Sequence, residues 1–227
     1  MSEPNLNEYC QKILDLTSYN EESANLIGKK IASVLLHTYF PYRGYKFKIN
    51  SVLDAVVSCS EYDYSDIRKT DRVLDIGACV GAFSILASGK CKQVYAVEPL
   101  YGDLILENLI LNKIQNVSII PYGMGKTNCQ AIINYDPRTA VVELRTFDDI
   151  LKVTGKCDFL KLDCEMWEWI LESKDLEDFR RVEIEVHNHD GKHDYKNYEK
   201  KVIDAGFDIQ TDSIPNSVVY IIHGYKK

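Results

Sequence analysis

Apolar residues recur at helical spacing from Asn5 to about Phe40, with Ile13, Leu14 and Leu16 in one stripe and Leu26, Ile27, Ile31, Val34 and Leu35 in a second. The pattern predicts two helices that end near Pro41. The stretch that follows, YKFKINSVLDAVVSC, mixes the two periods and admits a short strand and a helical turn. After Asp71 the pattern changes. Short apolar runs alternate with amphipathic segments in the order RVLDIG, AFSILAS, QVYAVEP, YGDLILENLILN and VSIIPYG. That alternation predicts a parallel sheet with crossover helices, because parallel neighbours need a long connection laid across a sheet face.

A segment rich in β-branched residues, CQAIINYDPRTAVVELRTF, interrupts the alternation. Its NYDPRT centre has turn chemistry, so a hairpin from about Asn128 to Leu144 is expected. The alternation resumes with FDDILK, CDFLKLDC, MWEWILES, RRVEIEVHN and YKNYEKKVIDAGF, and closes on the apolar SVVYIIHG. No internal repeat or low-complexity linker divides the chain. Residues 1–60 therefore read as a helical N-terminal extension and 61–227 as one α/β domain.

Composition narrows the class of partner. The 27 Lys and Arg against 34 Asp and Glu leave a formal net charge of −7, which disfavours a broad surface for a phosphate backbone. The one local basic run, Lys29, Lys30, Arg43, Lys46 and Lys48, reads first as a solvated face. Seven cysteines (Cys10, Cys59, Cys79, Cys91, Cys129, Cys157, Cys164) are odd in number and lack CxxC or Cys/His ligand spacing. They read as reduced, mostly buried thiols of a cytoplasmic protein. The opening MSEPNLNEYCQ is polar, and no run approaches about eighteen apolar residues, so neither secretion nor membrane insertion is expected.

The candidate chemistry begins at VLDIGACVGAFS. If Val73 to Ile76 is a buried strand and Ala82 opens a helix, Gly77 and Gly81 lie in a turn at the carboxyl edge of the sheet, where ligands of open α/β sheets bind. A dinucleotide site wants G-x-G-x-x-G, and Gly77-Ala78-Cys79-Val80-Gly81 lacks the glycine that admits a pyrophosphate. Glu98, twenty-one residues past Gly77, ends QVYAVE, where a second strand would present a carboxylate to ribose hydroxyls. The pair suggests a nucleoside cofactor without a pyrophosphate, and S-adenosylmethionine fits: Glu98 for its ribose, and Asp75 with the backbone of Gly77, Ala78, Cys79 and Gly81 for its amino-acid end. The simpler alternative is a tight strand-to-helix turn followed by a solvated strand end.

These residues resemble the class I methyltransferases, and more closely the FkbM family. DRVLDIGACVGAFSILAS is similar to the family's first motif, VYAVEP to its second-strand end, LRTFDDIL to the segment before its fourth strand, and CDFLKLDCEMWEWIL to its DFLKIDVEGAE signature. The resemblance spans about Ser60 to His187, with the motifs in family order. It implies a Rossmann-like class I methyltransferase fold, a seven-stranded, mostly parallel sheet whose C-terminal strand is antiparallel, with GFDIQTDSIPNSVVYIIHG supplying the last pair. It also implies S-adenosylmethionine as cofactor, adenine near Tyr122, Gly123 and Met124 of PYGMGK, and O-methylation of a hydroxyl. The chain departs from DVEGAE at Met166, which replaces a glycine, and at the bulky Trp167 after it, a change that could reshape the acceptor pocket.

Methyl transfer to oxygen asks the protein to position an acceptor and remove its proton. Asp163 ends FLKLD and Glu165 follows two residues on, so one could act as base or both could hold a divalent cation; two carboxylates are an incomplete ligand set, and no metal ligands are assigned. A helix cap is the structural alternative for both. His187 ends VEIEVH, and a neutral imidazole there is the preferred general base, with Glu185 on the same strand face an optional partner. Trp167 and Trp169 read as core, with Tyr62 and Tyr64 as further candidates to line an apolar acceptor pocket. The expected acceptor is a small molecule or sugar. The competing readings are an RNA methyltransferase and a non-catalytic cofactor-binding scaffold, with an NAD-dependent reductase as outsider.

Overall fold

The computed structural model describes residues 39–48, 56, 59–135, 138–214 and 217–226. The two helices expected from Asn5 lie outside these residues up to Thr38, and at their expected end the chain is extended, not helical. β1 (Tyr39–Tyr42) and β2 (Tyr45–Lys48) form an antiparallel hairpin. Its turn residues Arg43 and Gly44 have φ of 45° and 83°. Positive φ at both central positions gives the twist that hairpin strands need, and glycine adopts it freely. The hairpin docks on a helix through side-chain amides: Lys48 N donates to Asn108 Oδ1 and Lys46 N to Asn112 Oδ1, both at 2.8 Å.

The remaining elements follow the alternation. β3 (Arg72–Ile76), α1 (Ala82–Ser88), β4 (Gln93–Val97), α2 (Gly102–Asn112) and β5 (Val117–Ile120) come first. Then come the short β6 (Gly123–Met124), β7 (Cys129–Tyr135), β8 (Arg138–Arg145), α3 (Phe147–Thr154) and β9 (Phe159–Leu162). A 3₁₀ turn (Trp167–Ile170), α4 (Ser173–Leu176), β10 (Arg181–His187), α5 (Tyr195–Asp204), β11 (Asp208–Ser213) and β12 (Val219–Tyr225) complete the chain.

Seven strands form the central sheet in the order β11-β12-β10-β9-β3-β4-β5. β3, β4, β5, β9 and β10 are parallel, and β12 pairs antiparallel with both β10 and β11. The expected seven-stranded sheet with an antiparallel C-terminal strand is thus present. Its order switches at β3: the chain moves outward through β4 and β5, then returns to place β9 on the other side. Loops leaving β3 and β9 diverge there and open a crevice at the carboxyl edge. The expected hairpin is β7 and β8, in register from Cys129↔Leu144 to Tyr135↔Arg138, and β8 also pairs with β6.

Apolar clusters cover both sheet faces. α1 and α2 pack on one through Phe83, Ile85, Ile105 and Leu109; α3 and α5 pack on the other through Phe147, Ile150, Tyr198 and Val202. Phe47, Val56 and Cys59 are buried in the first cluster. Among the described residues no helix is long and apolar enough to cross a membrane. The six described cysteines are free; Cys129 is exposed.

The segment before β3 is tied to the sheet by charge. Fully buried Arg181 pairs with Asp63, Asp66 and Glu183, and Asp63 N donates to Glu183 Oε2 at 3.0 Å. Tyr64 stacks on Phe83 and Tyr62 meets the same ring edge-on. These contacts deliver the Tyr62 hydroxyl to the ends of β9 and β10.

Candidate active site

Gly77 follows β3 at φ 78°, and a Cβ there would overlap the carbonyl oxygen of Asp163 at the end of β9. The Gly77 carbonyl accepts from Lys161 Nζ at 2.8 Å, and the amides of Gly77 and Ala78 donate to Val97 O. Close approach of a neighbouring strand end therefore demands this glycine. Gly81, at φ 80°, starts α1, where a Cβ would press on Ile105 of α2 at 3.1 Å. Both expected glycines organise the turn, and Gly81 does not line the cavity described next.

Glu98, at the end of β4, closes the turn. Its Oε2 accepts from Cys79 N at 2.8 Å, and its Oε1 accepts from Leu100 N and Tyr101 N at 2.6 and 3.1 Å. Burial raises its pKa against these stabilising amides. A carboxylate offers about four lone-pair sites. Three are used by the backbone, so the carboxylate's position is fixed and one acceptor site is left over.

A cavity of about 840 Å³ runs from Glu98 past Ala78 and Cys79 to Asp163, Glu165 and Glu185. Tyr122, Gly123 and Met124 line it, and residues 131–135 of the hairpin add a wall that the sequence pattern did not assign to the site. Trp167 is exposed and lines the cavity, while Trp169 packs on Tyr198 and donates Nε1–H to His187 O. The core reading thus holds for Trp169 alone.

Asp75 corrects the expectation placed on it. Fully buried, it does not line the cavity; its carboxylate accepts from Ser84 Oγ at 2.6 Å and lies 3.4 Å from Lys161 Nζ. Strand alternation turns it toward α1, away from any ligand. Lys161, inside the apolar run FLKL, is the unexpected cation of the site: it also lies 3.2 Å from Asp163 Oδ2. Burial alone would lower its pKa, but Asp163, Asp75 and Glu185 overcome that and raise it.

At the far end, Tyr62 O–H faces Asp163 Oδ2 at 3.1 Å and Glu185 Oε2 at 2.6 Å. Burial pushes the Asp163 carboxyl up to about 6 despite Lys161. His187 is buried, with Nδ1 3.0 Å from Glu168 Oε1 and Nε2 3.4 Å from Glu185 Oε1. Burial opposes its charge, yet Glu168, Glu185 and Asp163 push its pKa up to about 10. These carboxylates favour the protonated ring, which weighs against the expected role of His187 as general base. His187 also does not line the cavity, whereas Asp163, Glu165 and Glu185 do.

Met166 explains one departure from the family pattern. It stands at φ 78° and Glu165 at φ 53°, a left-handed pair of side-chain-bearing residues where the motif has one glycine. Left-handed backbone costs a non-glycine residue about 1–2 kcal/mol. Met166→Gly is expected to stabilise the chain by about 1 kcal/mol, raising Tm by about 2–4 °C. An unchanged or lower Tm would show that the Met166 side chain repays the strain by packing.

No family profile matches the chain, and no curated protein matches it. Solved structures do. A precorrin-6y C5,15-methyltransferase from Geobacter metallireducens aligns over 80% of this chain and 94% of its own, with a TM-score of 0.52 and 16% identity. The fold is that of the Rossmann-like methyltransferases. Trm5b from Pyrococcus abyssi aligns over 82% of this chain but 54% of its own, with a TM-score of 0.51 and 16% identity. A Streptococcus mutans protein in complex with S-adenosylhomocysteine aligns over 78% and 99%, with a TM-score of 0.50 and 17% identity. At these identities the likeness is one of fold. The FkbM resemblance rests on the quoted motifs alone.

Proposed function

We propose that the protein is an S-adenosylmethionine-dependent methyltransferase that acts on a hydroxyl of a small molecule or sugar. The observation that carries this reading is the single cavity that joins Glu98 to the carboxylates of Asp163 and Glu185. Glu98 accepts a ribose hydroxyl; the backbone of Ala78 and Cys79 borders the amino-acid end; Tyr122, Gly123 and Met124 flank the adenine. The other end of the cavity lies at the ends of β9 and β10, where Tyr62 orients Asp163 and Glu185. Bound S-adenosylmethionine would supply a methyl group on its sulfonium, and this carboxylate pair would accept the proton of the acceptor hydroxyl. Asp163, Glu165 and Glu185 present negative charge to the acceptor, which opposes a phosphate-bearing one and weighs against the RNA reading.

Calorimetric titration with S-adenosylhomocysteine tests the assignment. Glu98→Ala removes a charged acceptor worth about 1.5–3 kcal/mol, so affinity should fall by about 10- to 100-fold. Equal affinity in the variant would remove Glu98 from the site.

A further inference from the structure

The ends of β9 and β10 hold an arrangement that methyl transfer alone does not require. Glu168 is fully buried in the 3₁₀ turn and accepts from His187 N at 2.8 Å while contacting Nδ1 at 3.0 Å. With Nδ1 held there, Nε2 faces Glu185 Oε1 at 3.4 Å, Glu165 Oε2 at 3.7 Å and Asp163 Oδ1 at 3.8 Å. The other oxygens of two of these carboxylates are already engaged: Tyr62 O–H meets Asp163 Oδ2 and Glu185 Oε2, and Lys161 Nζ lies near Asp163 Oδ2. One nitrogen and a set of carboxylate oxygens converge, with Asp163, Glu185 and His187 steadied from behind.

We propose that this cluster binds a divalent first-row transition ion, with His187 Nε2, Glu185 and Asp163 as ligands and Glu165, which groups with His187 and His189, at its exposed edge. The ligand atoms of Asp163, Glu185 and His187 lie within 4.8 Å of one another, as do those of Glu165, His187 and His189. Ligands about 2.1 Å from a common ion stand about 3.0 Å apart at octahedral and 3.4 Å apart at tetrahedral edges, so small side-chain adjustments close the site. A buried carboxylate on the far ring nitrogen is the support that metal-ligating histidines carry. One imidazole among carboxylates suits Mn²⁺, Fe²⁺ or Zn²⁺ better than Mg²⁺ or Ca²⁺, which favour oxygen alone. Set at the acceptor end of the cavity, the ion would lower the pKa of a bound hydroxyl.

The test is a Mn²⁺ titration of the chelator-treated full-length protein, followed by the electron paramagnetic resonance of free Mn²⁺, with no adenosyl ligand present. Failure of the metal site and failure of the cofactor reading are thereby read separately. One ion per chain is expected, weakened at least tenfold in Glu185→Gln and several-fold in Glu165→Gln and Tyr62→Phe. His187→Gln should abolish binding. Because His187 also closes the Glu168 contact, the Glu185 and Glu165 variants, at less buried positions, carry the test with far-ultraviolet circular dichroism confirming the fold. Absence of a stoichiometric ion, or equal binding by Glu185→Gln and Glu165→Gln, would assign any bound Mn²⁺ to the acidic surface at large and overturn the proposal.

Discussion

Lys161→Met is expected to destabilise the protein by about 3–5 kcal/mol, the usual cost of removing one partner from a buried ion pair. The ammonium is nearly inaccessible and lies 3.4 Å from Asp75, whose carboxylate is fully buried and, among the described residues, keeps only the Ser84 hydroxyl as a hydrogen-bond donor. Methionine fills the volume but leaves that charge uncompensated, and it also removes the donor to Gly77 O. For a chain of this size the loss corresponds to a fall in Tm of roughly 10 °C. Adding Asp75→Asn should recover a substantial part, because the residual buried group is then neutral. A loss below about 1 kcal/mol in the single variant, or no recovery in the double, would show that Lys161 does not compensate Asp75.

Gly77→Ala carries the second large effect. The left-handed backbone costs alanine about 1–2 kcal/mol, and forcing a methyl group against the Asp163 carbonyl adds about 1–3 kcal/mol of overpacking. Gly191 separates the two: it has φ 66° with nothing within 4 Å of a built Cβ, so Gly191→Ala reports the backbone cost alone. Urea unfolding of both variants should show Gly77→Ala the more costly by at least about 1 kcal/mol. Equal costs would mean that the end of β9 yields freely.

The sheet was legible because each buried parallel strand, such as RVLDI or FLKL, is a short apolar run between amphipathic segments, and periodicity reads that directly. The β1–β2 hairpin was not, since its strand period is masked by tyrosines and lysines and its signal is confined to the Arg43-Gly44 turn. The positions of Gly77, Glu98 and Asp163 at strand ends beside one cavity were legible from the strand pattern. The role of Asp75 was misread because its neighbour Ser84 lies nine residues on and its ion partner in a distant strand, neither of which spacing reveals. The surroundings of His187 are hidden for a similar reason: Glu168, which contacts its Nδ1, is brought beneath it by a 3₁₀ turn. Period-two alternation did place Glu183, Glu185 and His187 on one face, yet only packing shows which of them meets Tyr62 and which meets His223.

Thermal melting of the purified protein with S-adenosylmethionine, S-adenosylhomocysteine, NAD or no ligand tests the central claim most directly. A ligand present at about a hundred times its Kd adds about 2.7 kcal/mol. Both adenosyl ligands should therefore raise Tm by several degrees while NAD leaves it unchanged. No shift with either adenosyl ligand, or a shift with NAD alone, would contradict the assignment of the Gly77–Glu98 cavity to S-adenosylmethionine.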